Sequence, residues 1–330
     1  MYRLFCLLTA AIVCAAASAQ GQTLAARPTG LTFQSSTYRD FRQLLAREAG
    51  KPVTVRAHLA FPDEAKDHYP AVIVLHAISG YRDNNEGYIA AALRKAGFAT
   101  LTFDSFAARG TTGEAFSASP GYLAAGVADA YAVLQLLARQ PRIDGDRVAI
   151  LGFSFGADVA HMTAFEPLRS ALVPEQNRFA AHVAFYPAGT FGVLAERGAY
   201  TGSPVLLLLG GKDDNLPVAK VDSYLAYARA GGHPAPVETV IYPDAVHAWT
   251  VPGVPKRFYA DYVSPKKCPL LLLGTNRVEL LVDGQAKPFD PNVVGACLRA
   301  APGYWMGFDA AVRSQSIADA ERFLRRTLQP

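Results

Sequence analysis

An excess of charge of one sign is missing from this sequence. Its 330 residues carry 32 Lys and Arg against 28 Asp and Glu, and only 18% are charged. A nucleic-acid-binding protein needs a concentrated basic face, and this balance argues against one. Long apolar runs are also lacking. Beyond residues 1–19, no stretch reaches the roughly 20 residues needed to cross a bilayer, so no membrane span is expected. Cysteine is scarce, with four residues in all, of which Cys6 and Cys14 fall inside the first apolar run. His58, His68, His161, His182 and His233 have no metal-ligand spacing, so no metal site is read from them. There is no internal repeat and no low-complexity tract. A hydrophobic fraction of 51% then suits one large domain, or one domain with an insertion.

The opening "MYRLFCLLTAAIVCAAASA" has Arg3, an apolar run, and the small-x-small ending Ala17-Ser18-Ala19. It reads as a cleaved export signal over 1–19, which leaves residues 20–330 as a periplasmic or secreted chain. Lipidation at Cys14 would want a small residue before it, and Val13 stands there. Cys268 and Cys297 remain, as two buried thiols or as a bridge. An even count in an oxidising compartment favours the bridge.

Residues 20–50 look mixed and peripheral, with a short helix in "YRDFRQLLAREAG" closed by Gly50. From there the punctuation is regular. "PVTVRAHLAF" alternates like a strand exposed on one side, and "YPAVIVLHA" is continuous like a strand buried on both. "FATLTFD", "RVAILGFS", "FAAHVAFYP", "SPVLLLLGGKDD" and "VETVIY" are further strands. "GYIAAALRKAG", "GYLAAGVADAYAVLQLLARQ", "FGADVAHMTAF", "AKVDSYLAYARAGG" and "FDAAVRSQSIADAERFLRRTL" are helices. Strands alternating with helices imply a mostly parallel, doubly wound α/β sheet with helices on both faces. Residues 250–307, rich in proline and glycine and holding both remaining cysteines, read as an insertion before the last helix that leans over the active site. Its strand-like pieces are "PLLLLGT" and "RVELLVDG".

In "AILGFSFGADVAH", Gly152 and Gly156 flank Ser154 at the G-x-S-x-G spacing of a nucleophile elbow, where a strand hands over to a helix. A serine hydroxyl is a weak nucleophile and needs a base, and the base needs an orienting acid. Both should sit where parallel strands end. "VLLLLGGKDDNLP" supplies Asp213 after a double glycine, with Asp214 as the neighbouring rival. "VIYPDAVHAW" supplies His247, with Asp244 as a turn residue. The order Ser154, Asp213, His247 is that of the α/β-hydrolases. A developing oxyanion needs backbone N–H donors. Phe155 at the helix start offers one, and Ile78 in "VIVLHAISGYRD" is the candidate for the other. His76 in that loop reads as a structural hydrogen-bonding residue.

The stretches "PAVIVLHAISG", "TFDSFAARG", "GFSFGA", "LLGGKDDNLP" and "YPDAVHAW" resemble the dienelactone hydrolase family of the α/β-hydrolase superfamily, over roughly residues 52–250 and the last helix. The resemblance implies an α/β-hydrolase fold, the triad Ser154, Asp213 and His247, and an oxyanion hole from the amides of Ile78 and Phe155. This chain departs from the family in three places. The namesake enzymes use a cysteine nucleophile where Ser154 stands. They carry a glutamate where Ala77 stands, and an arginine soon after the histidine where "HAWTV" has none. Arg109 falls near a second substrate arginine of the family, and for both Arg109 and Arg82 a surface charge is the alternative to a substrate clamp. Trp249 and Phe155 line the acyl pocket or belong to the core.

The expected function is an exported serine hydrolase cleaving carboxylic esters or lactones through an acyl-enzyme. The expected partner is a small-molecule substrate, with no metal or organic cofactor needed. A serine peptidase of the prolyl-oligopeptidase kind shares the fold and triad order, although the long N-terminal region that would form its propeller is lacking. A non-catalytic binding protein on a hydrolase scaffold is the third reading. The acyl and alcohol groups and the oligomeric state are not written in the sequence.

Overall fold

The computed structural model describes residues 29–117, 119–173, 177–187, 193–196, 198–230 and 237–330. The expected export signal at 1–19 lies outside them. The strands, in chain order, are β1 Thr29–Thr37, β2 Lys51–Ala60, β3 Tyr69–Leu75, β4 Ala99–Phe103, β5 Ile143–Phe153, β6 Ala181–Phe185, β7 Val193–Ala195, β8 Val205–Gly210, β9 Val237–Tyr242, β10 Arg257–Val263, β11 Leu270–Gly274, β12 Arg277–Val282, β13 Gln285–Pro288 and β14 Pro302–Met306. The α-helices are α1 Phe41–Leu45, α2 Tyr88–Lys95, α3 Gly113–Ser117, α4 Tyr122–Leu137, α5 Phe155–Met162, α6 Glu166–Leu172, α7 Val218–Arg229, α8 Pro291–Arg299 and α9 Ala310–Leu328.

Eight strands form the main sheet in the order β1-β2-β4-β3-β5-β6-β8-β9. β1 and β2 run antiparallel to their neighbours, and all pairings from β4 to β9 are parallel. The strand period of two explains the two cores. Ala71, Ile73 and Leu75 of β3 pack on one face with α4 and α5, while Val72 and Val74 pack on the other with α2 and α9. Every residue of β3 and β8 is buried, which is why their sequences are unbroken apolar runs. The last helix starts at Asp309, whose carboxylate accepts from the N–H groups of Ala311 and Val312.

The N-terminal segment differs from the expectation. Residues 29–37 are not peripheral but form the edge strand, paired along β2 from Thr29↔Leu59 to Thr37↔Lys51. The helix expected over 38–50 shortens to the five residues of α1, capped by Asp40. Its Phe41, Leu44 and Leu45 join the core, so burial rather than helical periodicity set this segment.

The 250–307 segment builds two small sheets. β10 pairs with β14, and β13-β12-β11 continue onto β7. Cys268 and Cys297 form a disulfide with Cα atoms 5.1 Å apart.

Candidate active site

β5 ends directly at Ser154, whose backbone is held at φ 50° and ψ −110°. This is a conformation a non-glycine residue adopts only where its surroundings enforce it. The Ser154 N–H donates to Phe185 O at 3.1 Å, and Ser154 O accepts from Asp158 N–H at 2.9 Å. The flanking glycines are required by close approach. A Cβ on Gly152 would lie 2.1 Å from Gly156 O, and one on Gly156 would lie 2.6 Å from His76 O and 2.7 Å from Leu75 O. The start of α5 therefore rests directly on the end of β3.

The loops after β8 and β9 are laced together. Gly211 N–H donates to Tyr242 O at 2.8 Å and Lys212 N–H to Ala245 O at 2.9 Å. A Cβ on Gly210 or Gly211 would strike Ala245 O or Pro243 O at 2.6 and 2.5 Å. This lacing brings Asp213 to His247, with Oδ2 to Nδ1 at 2.8 Å, and His247 Nε2 lies 2.9 Å from Ser154 Oγ. All three side chains are buried. The remaining Asp213 oxygen accepts from Asn215 N–H at 3.0 Å. Asp214 turns away and takes Lys266 Nζ and Trp305 N–H at 3.0 and 2.8 Å. Asp244 sits at the surface, ion-paired with Lys212, which holds its carboxyl below the usual carboxylate range.

The loop after β3 is fixed by two residues. His76 Nε2 accepts from Ser105 N–H at 3.1 Å, so Nδ1 carries the proton and donates to Ala77 O at 2.8 Å. Glu86, buried in the π-helical turn Asp83–Gly87, accepts from the N–H groups of Ala77 and Arg82 at 3.2 and 3.0 Å and from Asn85 Nδ2 at 3.0 Å. Burial pushes its carboxyl up, against the pull of these donors. Ile78 follows in this loop and packs against the same hydrophobic cluster as Phe155. The Phe155 ring is buried among Phe106, His76 and Tyr122, at centroid distances of 5.0, 5.8 and 5.8 Å.

Two candidate substrate contacts, Arg109 and Trp249, are held inside the protein. Arg109 is a core ion pair with Asp129, at 2.8 and 2.9 Å. Its other N–H groups go to Thr37 Oγ1, Ser105 O and Ser36 O, so all five donors are committed within the protein. Trp249 is fully buried, donates to Ser316 Oγ at 3.1 Å and packs edge-on against Tyr186 and Tyr242. It therefore presents no face to a ligand.

Sequence reasoning missed Glu86, which lies in "RDNNEG" and reads as a solvated loop. It also missed Tyr186 and Tyr304, whose rings pack edge-on to His247 at 5.1 and 5.2 Å. Only Tyr186 carried a local signal, in its place at the end of a buried strand.

Known proteins resemble this chain in sequence and in fold. The profile of the dienelactone hydrolase family matches residues 55–268. A protein of Methylorubrum extorquens named "Putative carboxymethylenebutenolidase" is 28% identical over 265 residues, covering 76% of this chain and 84% of that protein. One of the same name from Yersinia pestis is 27% identical over 215 residues, covering 62% and 74%. Among solved structures, the dienelactone hydrolase-like promiscuous phosphotriesterase P91 from metagenomic libraries has the same fold, with a TM-score of 0.54 at 18% identity over 91% of this chain and 99% of that one. With the family profile spanning more than half its length, this chain belongs to the dienelactone hydrolase family and is a carboxylic ester hydrolase.

Proposed function

We propose that the chain is an exported serine hydrolase that cleaves carboxylic esters, lactones among them, through an acyl-enzyme. Ser154 is the nucleophile, His247 the base and Asp213 the acid that orients it. One observation carries this reading: the continuous hydrogen-bond line from Asp213 through His247 to Ser154, 2.8 and 2.9 Å long, ending on a serine held at positive φ.

Ser154 Oγ attacks the acyl carbon as its proton passes to His247 Nε2, and Asp213 keeps the proton of Nδ1 in place. The oxyanion accepts from the N–H groups of Ile78 and Phe155, donors that cost no reorganisation as charge develops. Collapse expels the alcohol, which takes the proton from Nε2. Water then repeats the sequence on the acyl-enzyme, and the second collapse returns the proton to Ser154 and frees the acid. With a lactone the leaving alcohol stays tethered, so the product is one hydroxy acid.

An anionic lactone is not the proposed substrate. The donors of Arg109 are all committed, and no arginine follows His247 in "HAWTV". The apolar run at 1–19 with its small-x-small ending and the Cys268–Cys297 bridge support export.

The test is turnover of p-nitrophenyl esters of increasing acyl length by residues 20–330, wild type beside Ser154→Ala. Turnover by the wild type that falls to background in the mutant supports the assignment. Equal turnover by both would move the nucleophile elsewhere, and inertness of both folded proteins would bring the binding-protein reading forward.

A further inference from the structure

The 250–307 segment touches the triad through its backbone. His247 N–H donates to Trp305 O at 3.1 Å and Gly307 N–H donates to His247 O at 2.9 Å, so β14 and the residue that follows it grip the histidine through both its N–H and its C=O. The same strand is tied to the acid-bearing loop. Asp214 accepts from Trp305 N–H at 2.8 Å through one oxygen and from Lys266 Nζ at 3.0 Å through the other, and Lys266 Nζ also donates to Gly303 O at 3.0 Å. Asn215, whose N–H bonds Asp213, accepts from Ser264 Oγ at 2.8 Å. Lys266 thus joins the loop of Asp213 to the strand that holds His247, and its side chain is 20% exposed.

We propose that Lys266 is a positioning residue for the reaction, which acts through Asp214 and β14 to keep the histidine-bearing loop closed on the acid-bearing loop. The proposal rests on the reading of Ser154, Asp213 and His247 as the triad. Neither Lys266 nor Asp214 touches the reacting atoms. Their ion pair is half-buried and worth little as a surface pair. Its importance is geometric, because the two loops it joins contribute the two partners of the 2.8 Å Asp213–His247 bond. The Cys268–Cys297 bridge reinforces the device. It links the residue two positions after Lys266 to α8, the helix that leads into β14.

The test compares Lys266→Met with Lys266→Arg, which keeps charge and donors, and with Lys267→Met, the same charge change at an exposed neighbour. The readouts are kcat and KM on a short p-nitrophenyl ester, and amide hydrogen exchange of peptides spanning 244–250 and 302–308. Lys266→Met should lose roughly 10- to 100-fold in kcat with KM within about twofold, since a misplaced catalytic group costs turnover rather than binding. Exchange should quicken in both peptides. Lys266→Arg should stay within about threefold of the wild type, and Lys267→Met should match it.

Wild-type kcat and wild-type exchange in Lys266→Met would overturn the proposal. If Lys266→Met loses protection in β3 and β5 as well, and so has lost its fold, Asp214→Asn is read against the same thresholds. If the wild type hydrolyses no ester, the triad reading fails. The exchange readout still decides whether Lys266 holds the two loops together.

Discussion

Replacing Gly156 by alanine sets two effects of opposite sign against each other. In a free helix the change is favourable by about 1 kcal/mol, because alanine loses less backbone entropy. Here the new Cβ would sit 2.6 Å from His76 O and 2.7 Å from Leu75 O, against 3.4 Å for an ordinary contact. Both oxygens are backbone atoms at the end of a buried central strand, so neither swings aside as a side-chain tip would. The start of α5 must then back away by about 0.8 Å, the larger shortfall from an ordinary contact. Overpacking of this kind costs about 1–3 kcal/mol, enough to cancel the helix gain.

The displaced atoms include the Phe155 N–H and, through one further residue, Ser154. Misplacement approaching 1 Å costs up to about 100-fold. We expect Gly156→Ala to lose roughly 10- to 100-fold in kcat, about 1.4–2.7 kcal/mol of transition-state stabilisation, with KM within about twofold. Steady-state turnover of a short p-nitrophenyl ester, read beside urea unfolding, measures both quantities. A folded mutant with kcat within about threefold of the wild type would refute the claim that this contact sets the geometry of the elbow.

Arg109→Met should cost about 3–5 kcal/mol of stability by leaving Asp129 charged and buried without its partner, while KM stays within about twofold. A raised KM at unchanged stability would return Arg109 to the substrate site. Glu86→Gln gives up one of two carboxylate acceptors and sets an amide against N–H donors, so the loop carrying Ile78 should loosen and kcat fall by roughly tenfold. Unchanged kinetics would show that His76 alone fixes the loop. Burial pulls His161 and His182 down to about 3 and about 4, from 6.5, so both are neutral in the folded protein. Their contribution is complete above pH 6.5 and is lost as pH falls toward those values, because the unfolded chain takes up the protons first. For His182 alone it is on the order of 3 kcal/mol. Denaturant unfolding from pH 7 to 4.5 should show stability falling with pH, less steeply in His182→Gln, and a flat profile would sink the argument.

What the sequence determined by itself was local or periodic. Unbroken apolar runs marked β3 and β8 because both faces of those strands are covered. Gly152 and Gly156 marked the elbow because only glycine allows the approach found there, and Gly210–Gly211 marked the loop that delivers Asp213 for the same reason. The tertiary structure decided whatever depends on partners distant in the chain. Asp213 and Asp214 are adjacent and chemically identical. One meets His247 and the other Lys266 and Trp305, 52 and 91 residues further on. Arg109 became a core residue through Ser36, Thr37 and Asp129, and β1 became a strand because β2 offered it an edge. Periodicity and spacing report how a residue relates to its near neighbours. The use of a charged side chain is set by what lies across the fold, and only packing brings those groups together.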